Sequence, residues 1–372
     1  MTQLNIAENI VRFRREKKIT QEQLAEFVGV TKASVSKWET KQSSPDIMLL
    51  PQLATFFDVT VDELLGYDPQ LSKEQIQRLY HEIATDFANH PFDTVMGKIR
   101  RLIKEYHNCY PFLLEICILW LNHFMLAETP QKQKETLEAI AKLCQRIISD
   151  CKELGICSDA MILMSIADLQ LGHTKEVIET LEDVIRPDRL ATQSDTILID
   201  AYVLSGDAKK ADGYTQISMY NHLLALINTS TKFLTIHSDN LPICEETIHR
   251  IKTLIETYHL ENLNPNAAGV FYYQASIIYI MHNDKKKALE NLKACILSMM
   301  VLVSTGNPKL HGDDYFNSIE AQFAQLGIDE RAPRDRKLIV EDIRNLLNNP
   351  VFSVLAEEPE YHRLKNKLME VK

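Results

Sequence analysis

The run Lys32-Ala-Ser-Val-Ser-Lys37 holds the residues whose types and spacing best suit contact chemistry. On a helix over 32–39, Val35 and Trp38 lie three apart and face inward, which turns Lys32, Ala33, Ser34, Ser36 and Lys37 outward. That face is small, polar and basic. Bond-making chemistry is weakly marked elsewhere. His311-Gly-Asp-Asp314 has no partner His or Glu at helical spacing nearby and reads as a turn. No G-x-x-x-x-G-K, G-x-S-x-G or H-E-x-x-H run occurs. The seven cysteines are odd in number and lack C-x-x-C spacing, so they suggest core thiols rather than a disulfide framework or a zinc site. No enzymatic activity, cofactor or metal is expected.

The short elements around 32–39 decide what that face can reach. Ile6, Ile10 and Phe13 give a first helix over 5–17, ended by Lys17-Lys18, whose charges suit the negative helix pole. Thr20-Gln-Glu-Gln23 is a capping box that starts a second helix at Gln21, stopped by Gly29. Thr31 caps the third helix. Ser44-Pro45-Asp46 offers an N-cap, a proline at the first helical position and an acid in the first turn, for a fourth helix over 45–57. Thr60-Val-Asp-Glu63 is a second capping box, for a short fifth helix that stops at Gly66.

A two-turn helix, a three-residue turn containing glycine and an outward polar helix form a helix-turn-helix arrangement. The run TQEQLAEFVGVTKASVSKWE (20–39), followed by Pro45 and VTVDELL, resembles the Cro/phage-repressor-type helix-turn-helix of the XRE family over about 65 residues. The resemblance implies that the start of the third helix enters the major groove, where only the first turn and a half reaches base edges. It makes Lys32, Ala33, Ser34, Ser36 and Lys37 the base-contacting candidates, with lysine suited to guanine O6/N7 and the Ala33 methyl to a thymine methyl. Gln21, Thr31, Lys41 and Ser43 become phosphate contacts. Arg14 and Glu39 become a structural ion pair between the first and third helices. Relatives commonly place glycine where this chain has Lys41, which puts a left-handed turn there in doubt and adds a cation near the backbone.

Charge supports the division. The chain of 372 residues carries a net charge of −10, which taken whole argues against a nonspecific polyanion binder. Residues 1–45 hold 8 basic and 5 acidic residues, a net of +3, so the remaining 327 carry −13. With 11 Gly and 13 Pro the chain is too poor in turn formers for a barrel or sandwich, which makes it all-α. Glu8 interrupts the N-terminal stretch, and the apolar window 112–121 is short and carries Glu115, so a cytoplasmic protein without a membrane segment is expected.

A polar stretch at 67–71 separates the 1–66 head from a body opened by the capping box Ser72-Lys-Glu-Gln75. Helices are predicted near 110–126, 131–152, 158–171, 174–186, 192–205, 208–235, 243–258, 267–281 and 285–303. Gly172 and Gly206 lie 34 residues apart at turns, and Asn283 lies 77 beyond Gly206. Four before each stand Asp168, Tyr202 and Tyr279; five after, Val177, Ala211 and Ala288; nine after, Leu181, Thr215 and Leu292. These frames resemble tetratricopeptide repeats, which implies a right-handed α-solenoid over 72–304 with a helical cap over 305–372. By that resemblance Asp159, Ile162, Gln193, Thr196, Asp200, Tyr273 and Ile277 line a concave effector groove. The whole resembles peptide-responsive regulators of the Rgg and PlcR kind. That implies a homodimer binding a double-stranded DNA operator, with the repeats sensing a short peptide or protein effector. A constitutive protein-interaction scaffold is the alternative.

Overall fold

The computed structural model describes residues 5–67, 70–184, 194–304, 308–326 and 331–369. The fold is all-α, and among the described residues the one β pairing is an isolated bridge between Lys309 and Arg331. The head comprises α1 (Ile6–Glu16), α2 (Gln21–Val28), α3 (Lys32–Glu39), α4 (Leu50–Phe57) and α5 (Val61–Leu65). Both capping boxes form, with Thr20 paired to Gln23 and Thr60 to Glu63. The start of α4 differs from the sequence expectation. Asp46, not Ser44, accepts from the Met48 N–H and caps a 3-10 turn over Ile47–Leu49, while Pro45 is buried ahead of it. The α-helix begins only at Leu50, with Pro51 in its first turn, where its missing N–H costs no hydrogen bond.

Ile10, Leu24, Val35, Leu53 and Leu64 are fully buried and form the centre of the head. α1 also closes on α5: Asn9 Nδ2 donates to the Glu63 and Leu64 carbonyls at 3.1 and 3.2 Å, and the Asn5 N–H to Leu65 O at 3.0 Å. A Cβ at Gly66 (φ 67°) would meet Asn9 Nδ2 at 2.9 Å, so glycine there serves both the left-handed turn and this approach.

The body runs through α6 (Lys73–Asn89), α7 (Phe92–Glu105), α8 (Tyr110–His123), α9 (Pro130–Asp150), α10 (Leu154–Leu171), α11 (Thr174–Val184), α12 (Ser194–Leu204), α13 (Ala208–Ile236), α14 (Leu241–Thr257), α15 (Leu260–Leu263), α16 (Pro265–Met281) and α17 (Lys285–Ser304). The repeat frames share one device. Gly172, Gly206 and Asn283 all have positive φ. At each, the next N–H bonds back to the residue four before the turn: His173 to Asp168 O, Asp207 to Tyr202 O and Asp284 to Tyr279 O, at 2.9 to 3.0 Å. The positions five and nine after the turn then pack to different depths. Val177 and Leu181 are half-buried, Ala211 is buried, and Ala288 and Leu292 are completely buried. Thr215, polar where the other two frames have Leu181 and Leu292, donates its hydroxyl to Ala211 O at 2.7 Å, which removes most of the cost of placing it on a packed face.

Two apolar clusters divide the body. One gathers α6 to α10 around Phe112, Leu113, Ile116 and Ile140. The other gathers the latter part of α13 through α17 and the C-terminal α18 (Ile319–Leu326), α19 (Arg336–Asn345) and α20 (Pro359–Met369) around Phe271, Phe316 and Phe352. α11 and α12 contribute no buried side chain among those described. α10 is, among the described residues, the one helix long and apolar enough to cross a membrane by length and composition, and it packs on α8, α9 and α11. The C-terminal region also returns to the first repeat: Tyr80 Oη donates to Pro333 O at 3.1 Å, Lys73 Nζ to Leu326 O at 3.1 Å and Lys337 Nζ to Ala88 O at 2.9 Å. Gln70 and Leu71 of the connection likewise bond to Asn108 O and Cys109 Sγ.

Candidate nucleic-acid interface

α3 is held from behind by a polar clamp. Arg14 Nε and Nη2 donate to the two Glu39 oxygens at 2.5 and 3.0 Å, and Arg14 Nη1 reaches Ile19 O at 2.9 Å. Gln21 Nε2 adds a third bond to Glu39 at 2.8 Å, so all three of the first helices meet at one carboxylate. Burial opposes the charge on Glu39, yet hydrogen bonds from Arg14 and Gln21 and the Arg14 and Arg15 charges outweigh it and hold its pKa below the ordinary carboxylate value. The same hydrogen bond raises the Arg14 pKa. Such a bidentate pair fixes orientation as well as distance.

Both ends of α3 are also set. At its start the Ser34 N–H donates to Thr31 Oγ1 at 3.2 Å, and the two hydroxyls bond each other at 2.9 Å. At its end the Lys41 N–H bonds Trp38 O and the Gln42 N–H bonds Lys37 O, the paired closing bonds of a left-handed helix stop. Lys41 adopts φ 62°, so the turn that glycine would favour forms around lysine. Its ammonium reaches Glu8 Oε1 at 2.7 Å, and this bond draws the Glu8 pKa down.

With Val35 and Trp38 buried beneath, Lys32, Ala33 and Lys37 are exposed and Ser34 and Ser36 half-buried, all on the outward side of one eight-residue helix. Lys32 lies 3.7 Å from Glu22, both side chains well exposed. Thr31, Lys41 and Ser43 flank this surface and are exposed. Gln21, expected there from sequence, instead directs its amide at Glu39, a use that the helix pattern alone could not reveal.

The expected effector groove is assembled only in part. Asp159 and Ile162 on α10 and Thr196 and Asp200 on α12 are exposed, and Asp159 has its pKa raised by partial burial. Gln193 lies outside the described residues. Tyr273 and Ile277 do not face an open groove: Asn349 Nδ2 donates to Tyr273 Oη at 3.0 Å, Phe352 stacks edge-on at 5.4 Å, and Ile277 packs into the C-terminal cluster. The chain's end thus occupies the face that the repeat pattern assigned to a ligand.

One trio escaped the sequence reading because its members lie on different helices. Ser218, His222 and Asp195 meet where α13 packs against α12. Ser218 donates to Asp195, and His222 Nδ1 lies 2.8 Å from the Ser218 carbonyl and 3.3 Å from its hydroxyl, so the hydroxyl proton is directed at the carboxylate rather than at the imidazole. Among the described residues no group of three or more His, Cys, Asp or Glu could hold a metal ion.

The head is an XRE-type helix-turn-helix domain: residues 10–64 match the helix-turn-helix family. Over 82 residues the chain is 33% identical to the HTH-type transcriptional activator BcrR of Enterococcus faecalis, a match covering 20% of this chain and 40% of that protein. Over 96 residues it is 28% identical to YobD of Bacillus subtilis (strain 168), an uncharacterised HTH-type transcriptional regulator, covering 24% and 86% of the two chains. The chain therefore spans well under half the length of the enterococcal activator. Among solved structures, it is similar to Bacillus thuringiensis PlcR in complex with the peptide PapR7 and DNA, at 13% identity and a TM-score of 0.33 over 80% of this chain and 95% of that one. It is also similar to apo ComR of S. thermophilus, at 16% identity and a TM-score of 0.25 over 86% and 97%.

Proposed function

We propose that the chain is a DNA-binding transcription regulator, in which α3 reads an operator and the helical body carries dimerisation and effector sensing. The observation that supports the first part is the clamped outward face of α3. Lys32, Ala33, Ser34, Ser36 and Lys37 reach base edges, while Thr31, Lys41 and Ser43 flank them at phosphate. A two-fold dimer places half-sites one helical turn, about 34 Å, apart. Protein contact by the body is supported by its uncovered apolar side chains, with Ile162, Leu169 and Ile178 followed by Ile197 and Val203 on α10 to α12. An effector regulates only if it binds one arrangement of the two heads better than the other.

Footprinting tests the reading head. Lys32→Ala and Lys37→Ala each weaken specific protection while far-UV circular dichroism stays unchanged; wild-type footprints from both would remove α3 from the interface. Lys41→Ala lowers affinity on every sequence and flattens the salt dependence by up to about one unit. The Glu8 pair competes for that lysine, so Glu8→Gln acts in the opposite direction. Native mass spectrometry of protein from its own host separates a dimer carrying a short peptide from a complex with a stoichiometric protein partner, the outcome that favours a constitutive scaffold.

A further inference from the structure

A cavity of about 210 Å³ lies between α7, the end of α8 and the start of α9. Phe92, Met96 and Arg100, each four residues apart, turn one side of α7 toward it, and Lys132, Glu135 and Ala139 do the same from α9. Trp120 completes the wall from α8. Some of the polar groups here serve each other. Lys132 Nζ joins the two helices by reaching Asp93 Oδ2 at 2.6 Å, and the buried Thr136 hydroxyl donates to Lys132 O at 2.8 Å. Three groups are left over. Arg100 makes no hydrogen bond or ion pair with any described residue, and Glu135 accepts from the Gln131 amide at 3.0 Å but pairs with no cation among them. Trp120 is only 5% exposed, and its Nε1–H is buried without an acceptor among the described residues. A buried donor left unpaired is rare in folded proteins and marks a place where a partner is expected.

We propose that this cavity binds a free α-amino acid with an apolar side chain, its carboxylate at Arg100 and the Trp120 N–H, its ammonium at Glu135 and its side chain on Phe92 and Met96. The unserved groups call for that combination. Two of them, on α7 and α8, are donors and one of these is charged; a carboxylate is the acceptor that suits a guanidinium in a two-bond fork. The third is an anion on α9, which a carboxylate alone would meet with repulsion and which an ammonium a few bonds away satisfies. The volume sets the size. It is smaller than the roughly 300 to 1,000 Å³ of drug- and cofactor-sized sites, so it suits a single amino acid rather than a nucleotide or a whole peptide. The site is independent of the DNA-binding reading, since α3 takes no part in it.

Calorimetric titration of the full chain tests the proposal. Wild-type protein binds L-leucine or L-methionine at one site, and it binds L-leucinamide and 4-methylpentanoate, which lack the carboxylate and the ammonium respectively, at least tenfold more weakly than leucine. Arg100→Gln reduces leucine affinity at least tenfold and leaves leucinamide unchanged. Glu135→Gln reduces it as much and leaves 4-methylpentanoate unchanged. Trp120→Phe keeps an aromatic ring, removes the N–H and weakens leucine several-fold; the two charge variants, both at exposed side chains, serve if circular dichroism shows that Trp120→Phe does not fold. Three results would overturn the assignment: no binding of either amino acid at millimolar concentration, leucinamide or 4-methylpentanoate binding as tightly as leucine, or wild-type leucine affinity in Arg100→Gln. Without added amino acid the DNA footprints of these variants match wild type, so failure here and failure of the α3 assignment are told apart.

Discussion

In the frames that turn at Gly172 and at Asn283, the same backbone bonds close the helix, yet Val177 and Leu181 stay half-buried where Ala288 and Leu292 are wholly enclosed. The turn is a local property, satisfied by a left-handed residue and two carbonyls. Burial is not local. It depends on what stacks beyond the pair, and α17 is covered by α19 and α20 whereas α11 has α10 as its chief described neighbour. A solenoid therefore repeats its turns more faithfully than its stability, and the α10 to α12 stretch is the part left with apolar surface to spend on contacts.

The largest effect expected from that contrast comes from truncating equivalent leucines. Leu292→Ala costs about 3 to 4 kcal/mol in urea unfolding, because the side chain is fully buried and its neighbours relax only in part. Leu181→Ala, at the same frame position, costs under about 1 kcal/mol. Equal losses would mean that α11 is as well covered as α17 and would end the comparison.

A smaller effect sets the head against the α16–α17 stack by pH. Glu39→Gln costs about 2 kcal/mol, since it leaves the half-buried Arg14 guanidinium without its charged partner. The Glu39 pKa is lower in the folded than in the unfolded state, so its stabilisation is present above the ordinary carboxylate range and is lost as pH falls through the depressed value. Hydrogen exchange at falling pH thus opens α1 to α3 before α16 and α17, whose hold is apolar. The Gln variant loses that part of the head's acid sensitivity; an unchanged acid profile would show that the clamp is not what titrates.

The smallest effects lie in the turns themselves. Around Gly172, φ is 85° and an added Cβ meets nothing within 4 Å, so Gly172→Ala costs only the backbone strain, about 1 kcal/mol. Lys41→Gly runs the other way and stabilises the head by up to about 1 kcal/mol, read as a shift in thermal midpoint. A stabilising Gly172→Ala would mean that the shared turn is dispensable.

Most of the helices were legible because caps and apolar stripes are written within four residues of where they act: Thr20 with Gln23, Thr60 with Glu63, and Gly172 with Asp168. What failed to show is what needs distant partners. Ser44-Pro45-Asp46 reads as the start of the fourth helix, yet the start falls later, with Pro45 buried and Asp46 accepting from Met48. The Tyr273 and Ile277 face looked open because nothing in α16 announces Asn349 and Phe352, more than seventy residues later, as its cover. Gln21 reads as a phosphate donor until Glu39, eighteen residues on, is brought beside it.

The three bonds between α6 and the C-terminal region span 249 to 253 residues of chain, which bears on how the protein is made. Most repeat proteins can settle each unit as it leaves the ribosome, because each touches only its neighbours. Here Tyr80 and Lys73 wait for partners translated some 250 residues later, on the order of 10 to 50 s at ordinary rates of synthesis. Throughout that interval the DNA-reading head is already complete, next to a first repeat that has yet to acquire its final contacts.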